Sequence, residues 1–333
     1  ARLATTAILC GGFLLALEEA LAWSRLANLW DTDLISYLDN GEAFLNGNFQ
    51  LFINPYWSPL YGILTALVLK LSAAPMEMQL LTVRLTNVCI YLVLTASFAF
   101  LLGELKQRLE ENFKLSNLEK QKQASGEAGQ EPQEAQPVRA EASEEGSTKV
   151  SEEISKVGST EGSTEVSTEV DQNWFYSLMV VFLSFIFIYS SLALGQTMYG
   201  TPDLLASALG FTATALTLKL RRLIRSGRGG AMLTALLLAF VGALGYLCKA
   251  PMLSYSYLLL LALAPEALSQ KQIRKPLLTA FVLLTILVAP YIALISQKAG
   301  HLTFSDVWKV GQSWNIFLKQ PIIHGRSPEF VHP

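Results

Sequence analysis

Charged side chains are scarce in this sequence, 16% of 333 residues, and the two signs nearly cancel at a net −2. So weak a charge carries no electrostatic footprint for nucleic acid. With 51% hydrophobic residues and a mean hydropathy of +0.36, the chain is too apolar for an ordinary soluble domain. Cysteine is equally sparse: Cys10, Cys89 and Cys248 lie far apart inside apolar runs with no metal-ligand spacing, which excludes a disulfide or zinc framework. His301 and His324 fall in the last polar segment, but a metal site needs more ligands than the sequence supplies, and no metal residue is assigned. A Gly-rich phosphate loop on a strand-helix unit is also missing.

What is present is a set of long apolar runs. Seven blocks, near 3–23, 79–104, 174–194, 202–219, 231–249, 251–266 and 277–297, are each long enough to cross a hydrocarbon core about 30 Å thick as helix. Helix is required there because it alone, short of a closed barrel, satisfies the backbone inside lipid. Arg2 ahead of the first run resembles a secretory signal, but the run continues past the usual core and has no small-residue cleavage site, so a retained helix is expected. The chain begins at Ala1 and stops at Pro333 in a stretch that closes no element, and it is expected to continue downstream.

Residues 105–172 break from their surroundings in being rich in Glu, Lys, Gln, Ser, Gly and Thr, with a degenerate Gly-Ser-Thr-Glu repeat at 158–165. Such a composition buries too little apolar surface to offset its ordering entropy, and a disordered linker is expected, with a helical start near 105–115. The domain plan is therefore 1–104 with a first loop at 25–78, the linker at 105–172, transmembrane helices three to seven at 173–297, and the start of a second loop at 298–333.

The positive-inside rule orients this plan. Lys219, Arg221, Arg222, Arg225 and Arg228 form one basic loop, and Lys271, Arg274 and Lys275 form another. Both are expected in the cytoplasm with the linker, while 25–57, 195–202 and 298–333 face the other side. The shorter run at 58–74 opens near Pro55 and Pro59 and carries Lys70, so it is expected to be a half-buried juxtamembrane helix rather than a full span.

The first loop holds the densest chemistry. Read as a helix, 31–47 aligns Leu34, Leu38 and Leu45 with Ile35 beside them, and sets carboxylates opposite. Asp33 and Tyr37 stand one turn apart. Asp39 falls on the other side of the helix from Asp33 and is expected to be dispensable. From spacing alone, an interfacial helix with solvated carboxylates is the simpler account. Asp203 after Pro202 fits a helix start as well as it fits catalysis. Lys249, between two apolar helices, would snorkel or hold an anion such as a lipid phosphate. Glu18 and Glu19 read as interfacial.

Four motifs carry a resemblance. Asp33-x-x-x-Tyr37, then Ala43-Phe44-Leu45-x-Gly47, then Asn54-Pro55-Tyr56-Trp57-Ser58-Pro59-Leu60-Tyr61 resembles the first outer loop of the C-type (GT-C) membrane glycosyltransferases, which include bacterial aminoarabinose transferases and protein O-mannosyltransferases. The stretch from Tyr189 to Asp203 is similar to that family's second outer loop, and Gly242 to Pro251 is similar to its Gly-x-x-x-Leu-Thr-Lys-x-Pro element, with Cys248 where Thr is usual. Ala289-Pro290-Tyr291 followed by Gly300-His301-Leu302 fits its exit from the seventh helix. The family's acidic pair is often adjacent, whereas here it is Asp31-x-Asp33.

The resemblance implies an all-α integral membrane protein, a multi-pass helical bundle of GT-C type. It implies inverting transfer of a sugar from a polyprenyl-phosphate donor to a lipid, glycan or protein acceptor on the non-cytoplasmic face of a bacterial inner membrane or the endoplasmic reticulum. Asp33 would be the general base, with Asp31 and Asp203 as further catalytic carboxylates. Lys249 and Arg326 would hold the donor phosphate, and Tyr37, Tyr61 and Tyr199 would contact substrate. No cofactor is assigned, and a divalent cation is the one left open. A transporter or lipid flippase is the rival from another class, although no pair of broken helices repeats in two halves. A membrane scaffold whose linker recruits partners is the third reading.

Overall fold

The computed structural model describes residues 2–24, 32–127, 161–193, 201–227 and 229–307, and among them there is no strand. The helices are α1 (Arg2–Ser24), α2 (Thr32–Leu45), α3 (Phe49–Phe52), α4 (Pro59–Ser72), α5 (Met76–Glu127), α6 (Glu161–Ala193), α7 (Asp203–Arg225), α8 (Ala231–Cys248), α9 (Pro251–Leu261), α10 (Ala264–Ser269) and α11 (Lys271–Ala299). Two compact units form, one of Ala1–Ile8 with Leu105–Phe187, the other of Leu9–Glu104 with Ile188–Pro333.

Five stretches are long and apolar enough to cross a membrane: Met76–Lys120, Asp203–Arg225, Ala231–Cys248, Pro251–Ser269 and Lys271–Ala299. Large apolar side chains on three of these helices, among them Leu233, Phe240, Leu258, Leu278 and Ile286, stay exposed, as lipid-facing residues must. The chain is an all-α membrane protein. Of the seven expected spans, those in α1 and α6 contribute only the shorter apolar stretches Leu9–Glu18 and Tyr176–Ser191 among the described residues. Pro251–Ser269 is not one continuous helix, because Ala262 and Leu263 separate α9 from α10.

The first unit runs mainly through the polar segment. Residues 105–127 continue α5 as helix and 161–172 open α6, so helix reaches further than the expected start at 105–115. Leu, Glu, Lys and Gln are strong helix formers, and extending an existing helix avoids the cost of nucleation. Lys106 pairs with Glu110 at 3.5 Å and stands 5.4 Å above the Tyr176 ring. The side chains from Lys114 to Lys120 are exposed. Residues 128–160, the centre of the expected linker, lie outside the described residues.

The second unit has its core among α7, α8, α9 and α11, where Ala213, Leu220, Leu238, Ala239, Tyr246, Ala280 and Leu284 are buried. Small residues let these backbones approach. A Cβ at Gly242 would come within 2.9 Å of Ser256 Oγ. At one end of the unit, Arg222 grips both carboxylate oxygens of Glu104 at 3.0–3.1 Å, while Arg221 and Arg225 both reach Glu266. This is the arginine end.

At the opposite end α2 lies on α4. The contact is backbone to backbone: a Cβ at Gly41 would collide with the Gly62 carbonyl oxygen, and one at Gly62 with that of Tyr37. Leu34 packs with Leu80 and Val83 of α5, flanked by Leu38 and Leu69. Leu34 and Leu38 of the α2 stripe are thus spent on neighbouring helices, while Ile35 stays exposed. With 14 residues, α4 is about 21 Å long at 1.5 Å per residue and too short to span. Loop 301–307 closes over this end: Asp306 N donates to Pro55 O at 2.8 Å, Tyr246 Oη to Phe304 O at 2.9 Å, and Tyr291 Oη to Asn54 O at 3.2 Å.

Candidate functional site

The first turn of α2 brings Asp33, half-buried, to the start of the site, and the next turn brings Tyr37, which is buried. The Tyr37 ring meets Trp57 edge-on at 5.1 Å and Tyr61 at 5.4 Å. Tyr61, wholly buried on α4, donates its phenol to Asn87 Oδ1 of α5 at 2.9 Å. Burial, followed by the negative charge of Asp33 with smaller contributions from Cys248, Asp203 and Tyr61, pushes the Tyr37 phenol well above its usual range. Tyr37 therefore remains a hydrogen-bond donor. The same dependence brings the start of α2 near the start of α7 and the end of α8.

That second junction is built from local breaks. Pro202 precedes α7, so Asp203 opens the helix, and Lys249 leaves α8 in an extended conformation before Pro251 starts α9. The two side chains form an ion pair across 46 residues of sequence. Cys248 Sγ donates to Pro202 O at 3.5 Å beneath it. Both earlier readings of these residues are refined: no side-chain cap bond forms at the α7 start, and the ammonium of Lys249 is matched by a carboxylate. His301 meets Asp306 at 3.2 Å in the closing loop. Glu18 is exposed, while the side chain of Glu19 and all of His324 lie outside the described residues, as do Asp31, Tyr199 and Arg326.

Sequence reasoning passed over Arg84. It lies on α5 one turn before Asn87 and is 2% exposed, and its Nε and Nη1 have no partner among the described residues. A guanidinium buried in an apolar run without a carboxylate is costly and marks a site by default. The signal was available as a lone arginine inside the run at 79–104.

A cleft of about 410 Å³ opens beside α2, bounded by α2, α3 and the loop to α4. Asp39, Glu42, Asn40, Asn48, Asn54 and Trp57 are among its lining residues, so Trp57 is common to the cleft and the Tyr37 cluster. Asp39, expected to be a bystander, is part of this wall. No set of three or more His, Cys, Asp or Glu side chains suited to a metal ion occurs among the described residues.

No family model, curated protein or solved structure matches the chain. The class therefore rests on the helices themselves, which define an all-α membrane protein with an acid-aromatic cluster and a paired Asp203–Lys249 at one end.

Proposed function

We propose that the protein transfers a sugar from a polyprenyl-phosphate donor to an acceptor, with inversion, on the non-cytoplasmic side of its membrane. The observation that carries this reading is the meeting of Asp33, Tyr37, Tyr61, Asp203 and Lys249 at one end of the second unit, beside the buried guanidinium of Arg84, whose Nε and Nη1 have no hydrogen bond among the described residues. Acceptor oxygen attacks the anomeric carbon as its proton passes to Asp33, and the carbon–oxygen bond to the phosphate breaks, releasing polyprenyl phosphate. Arg84 matches the phosphate charge, and Lys249, already balanced by Asp203, adds a donor at the same end. Tyr37 holds the sugar from the α2–α4 seam, and Tyr61, wholly buried, braces its ring from behind.

A buried guanidinium also suits a lipid-phosphate transporter, and one assay separates the two. Purified protein in nanodiscs is given a panel of radiolabelled polyprenyl-phosphate sugars with a membrane extract as acceptor source, and release of polyprenyl phosphate is followed. Release with at least one donor is expected. Movement of intact donor across vesicles with no cleavage in any case overturns the glycosyltransfer reading in favour of transport.

A further inference from the structure

The cleft beyond α2 offers a chemistry that the donor phosphate cannot use. Its wall carries the carboxylates of Asp39 and Glu42, and among the described residues no lysine, arginine or histidine lines it. A phosphate, sulfate or carboxylate there would meet like charge with no compensating cation. At about 410 Å³ it has the size of a small-ligand site, for which about 300–1,000 Å³ is usual.

Three side chains narrow the ligand. Asn40 is 5% exposed, and neither its Nδ2 nor its Oδ1 has a hydrogen-bond partner among the described residues, so one lining residue of the cleft lacks both an acceptor and a donor. A buried amide is rarely left in that condition. One hydroxyl supplies both functions through a single oxygen, and neighbouring hydroxyls supply them in the spacing of a planar carboxamide. Asn48 and Asn54 have already committed Oδ1 to backbone, to Leu51 N at 3.3 Å and to Tyr56 N at 2.8 Å, which holds the side chains in place and leaves Nδ2 as the remaining donor. Trp57 adds an aromatic surface braced by Tyr37. Fixed amides, carboxylates that accept from hydroxyls, and a braced indole together recognise a polyol with one apolar face.

We propose that this cleft binds a carbohydrate that is neutral or carries amino groups, and that it seats the acceptor glycan of the transfer reaction. The acceptor role rests on the glycosyltransferase reading; carbohydrate binding does not. Because Trp57 belongs to both the cleft and the Tyr37 cluster, a glycan held here lies next to the acid-aromatic group.

The test uses the full chain in nanodiscs, titrated with maltotriose, with the glucosamine trimer and with trigalacturonate while Trp fluorescence is read. Saturable binding of the first or second is expected, with trigalacturonate at least tenfold weaker. Asn40→Leu and Glu42→Gln should each weaken binding at least tenfold, Trp57→Ala more, and Trp57→Phe should restore part of it. Glu110→Gln, in the polar part of α5, should change nothing. Asn40→Leu should unfold no earlier than wild type; earlier unfolding with unchanged binding assigns Asn40 a structural role and overturns the proposal. Preference for trigalacturonate, no saturable binding of any trimer, or binding insensitive to both Asn40→Leu and Trp57→Ala also overturns it. Glycan binding without donor cleavage would sink the transferase reading and leave the cleft assignment standing; donor cleavage without glycan binding would do the reverse.

Discussion

The two ends of the second unit treat a buried arginine in opposite ways. At the arginine end Glu104, 6% exposed, receives a two-pronged Arg222, and Glu266 draws Arg221 and Arg225. At the other end Arg84, 2% exposed, leaves Nε and Nη1 without a hydrogen bond among the described residues, and Asn40 leaves both Nδ2 and Oδ1 in the same condition. Matching a buried ion secures helices against each other, since removing either partner strands the other. Leaving one unmatched weakens the fold and only makes sense where something else arrives to match it. The contrast argues that one end holds the bundle and the other receives ligands.

The largest expected effect tests the receiving end. Asp33→Asn removes the basic oxygen with little change of shape and should slow donor cleavage by about 10²- to 10⁴-fold, with the unfolding midpoint unchanged. Near wild-type turnover would remove Asp33 from the chemistry and with it the proposed mechanism.

At the holding end the expected loss is stability. Arg222→Met strands Glu104 and should cost about 3–5 kcal/mol in detergent unfolding, whereas adding Glu104→Met should recover most of it. If the single variant is neutral, the pair is not holding α5 to α7. Arg84→Leu sharpens the contrast: stability should hold or rise, while the donor KM should increase at least tenfold. A drop in stability with unchanged KM would make Arg84 a structural residue.

Smaller effects probe the support of each region. Gly41→Ala places a methyl against the Gly62 carbonyl and should destabilise by about 1–3 kcal/mol, with transfer falling further because α2 carries Asp33 and Tyr37. Lys106→Ala on the exposed pair with Glu110 should shift stability by less than about 0.5 kcal/mol. A larger shift would mean that the polar part of α5 contributes to packing.

Particular residues show why some of this was readable. The five long apolar helices announce themselves because lipid demands about 20 apolar residues in a row, a one-dimensional condition. The length and proline-led start of α4 marked it as too short to span. α2 was visible as an amphipathic helix, but its stripe looked as suited to lipid as to protein, and only Gly41 against Gly62 turned it toward α4. Arg84 was readable as an unusual intramembrane charge, yet that it lacks a carboxylate is a fact about its neighbours.

By itself, then, the sequence determined that this chain is helical and lives in a membrane, because hydropathy and backbone satisfaction act on contiguous residues. Tertiary structure alone decided which distant residues meet: Asp203 with Lys249, Glu104 with Arg222, and Tyr61 with Asn87. It alone decided that polar atoms of Asn40 and Arg84 go without a hydrogen bond among the described residues. The physical reason is that a polar group's partners are set by helix packing, which in a bilayer depends on small residues and close backbone approach rather than on any local pattern of hydrophobicity.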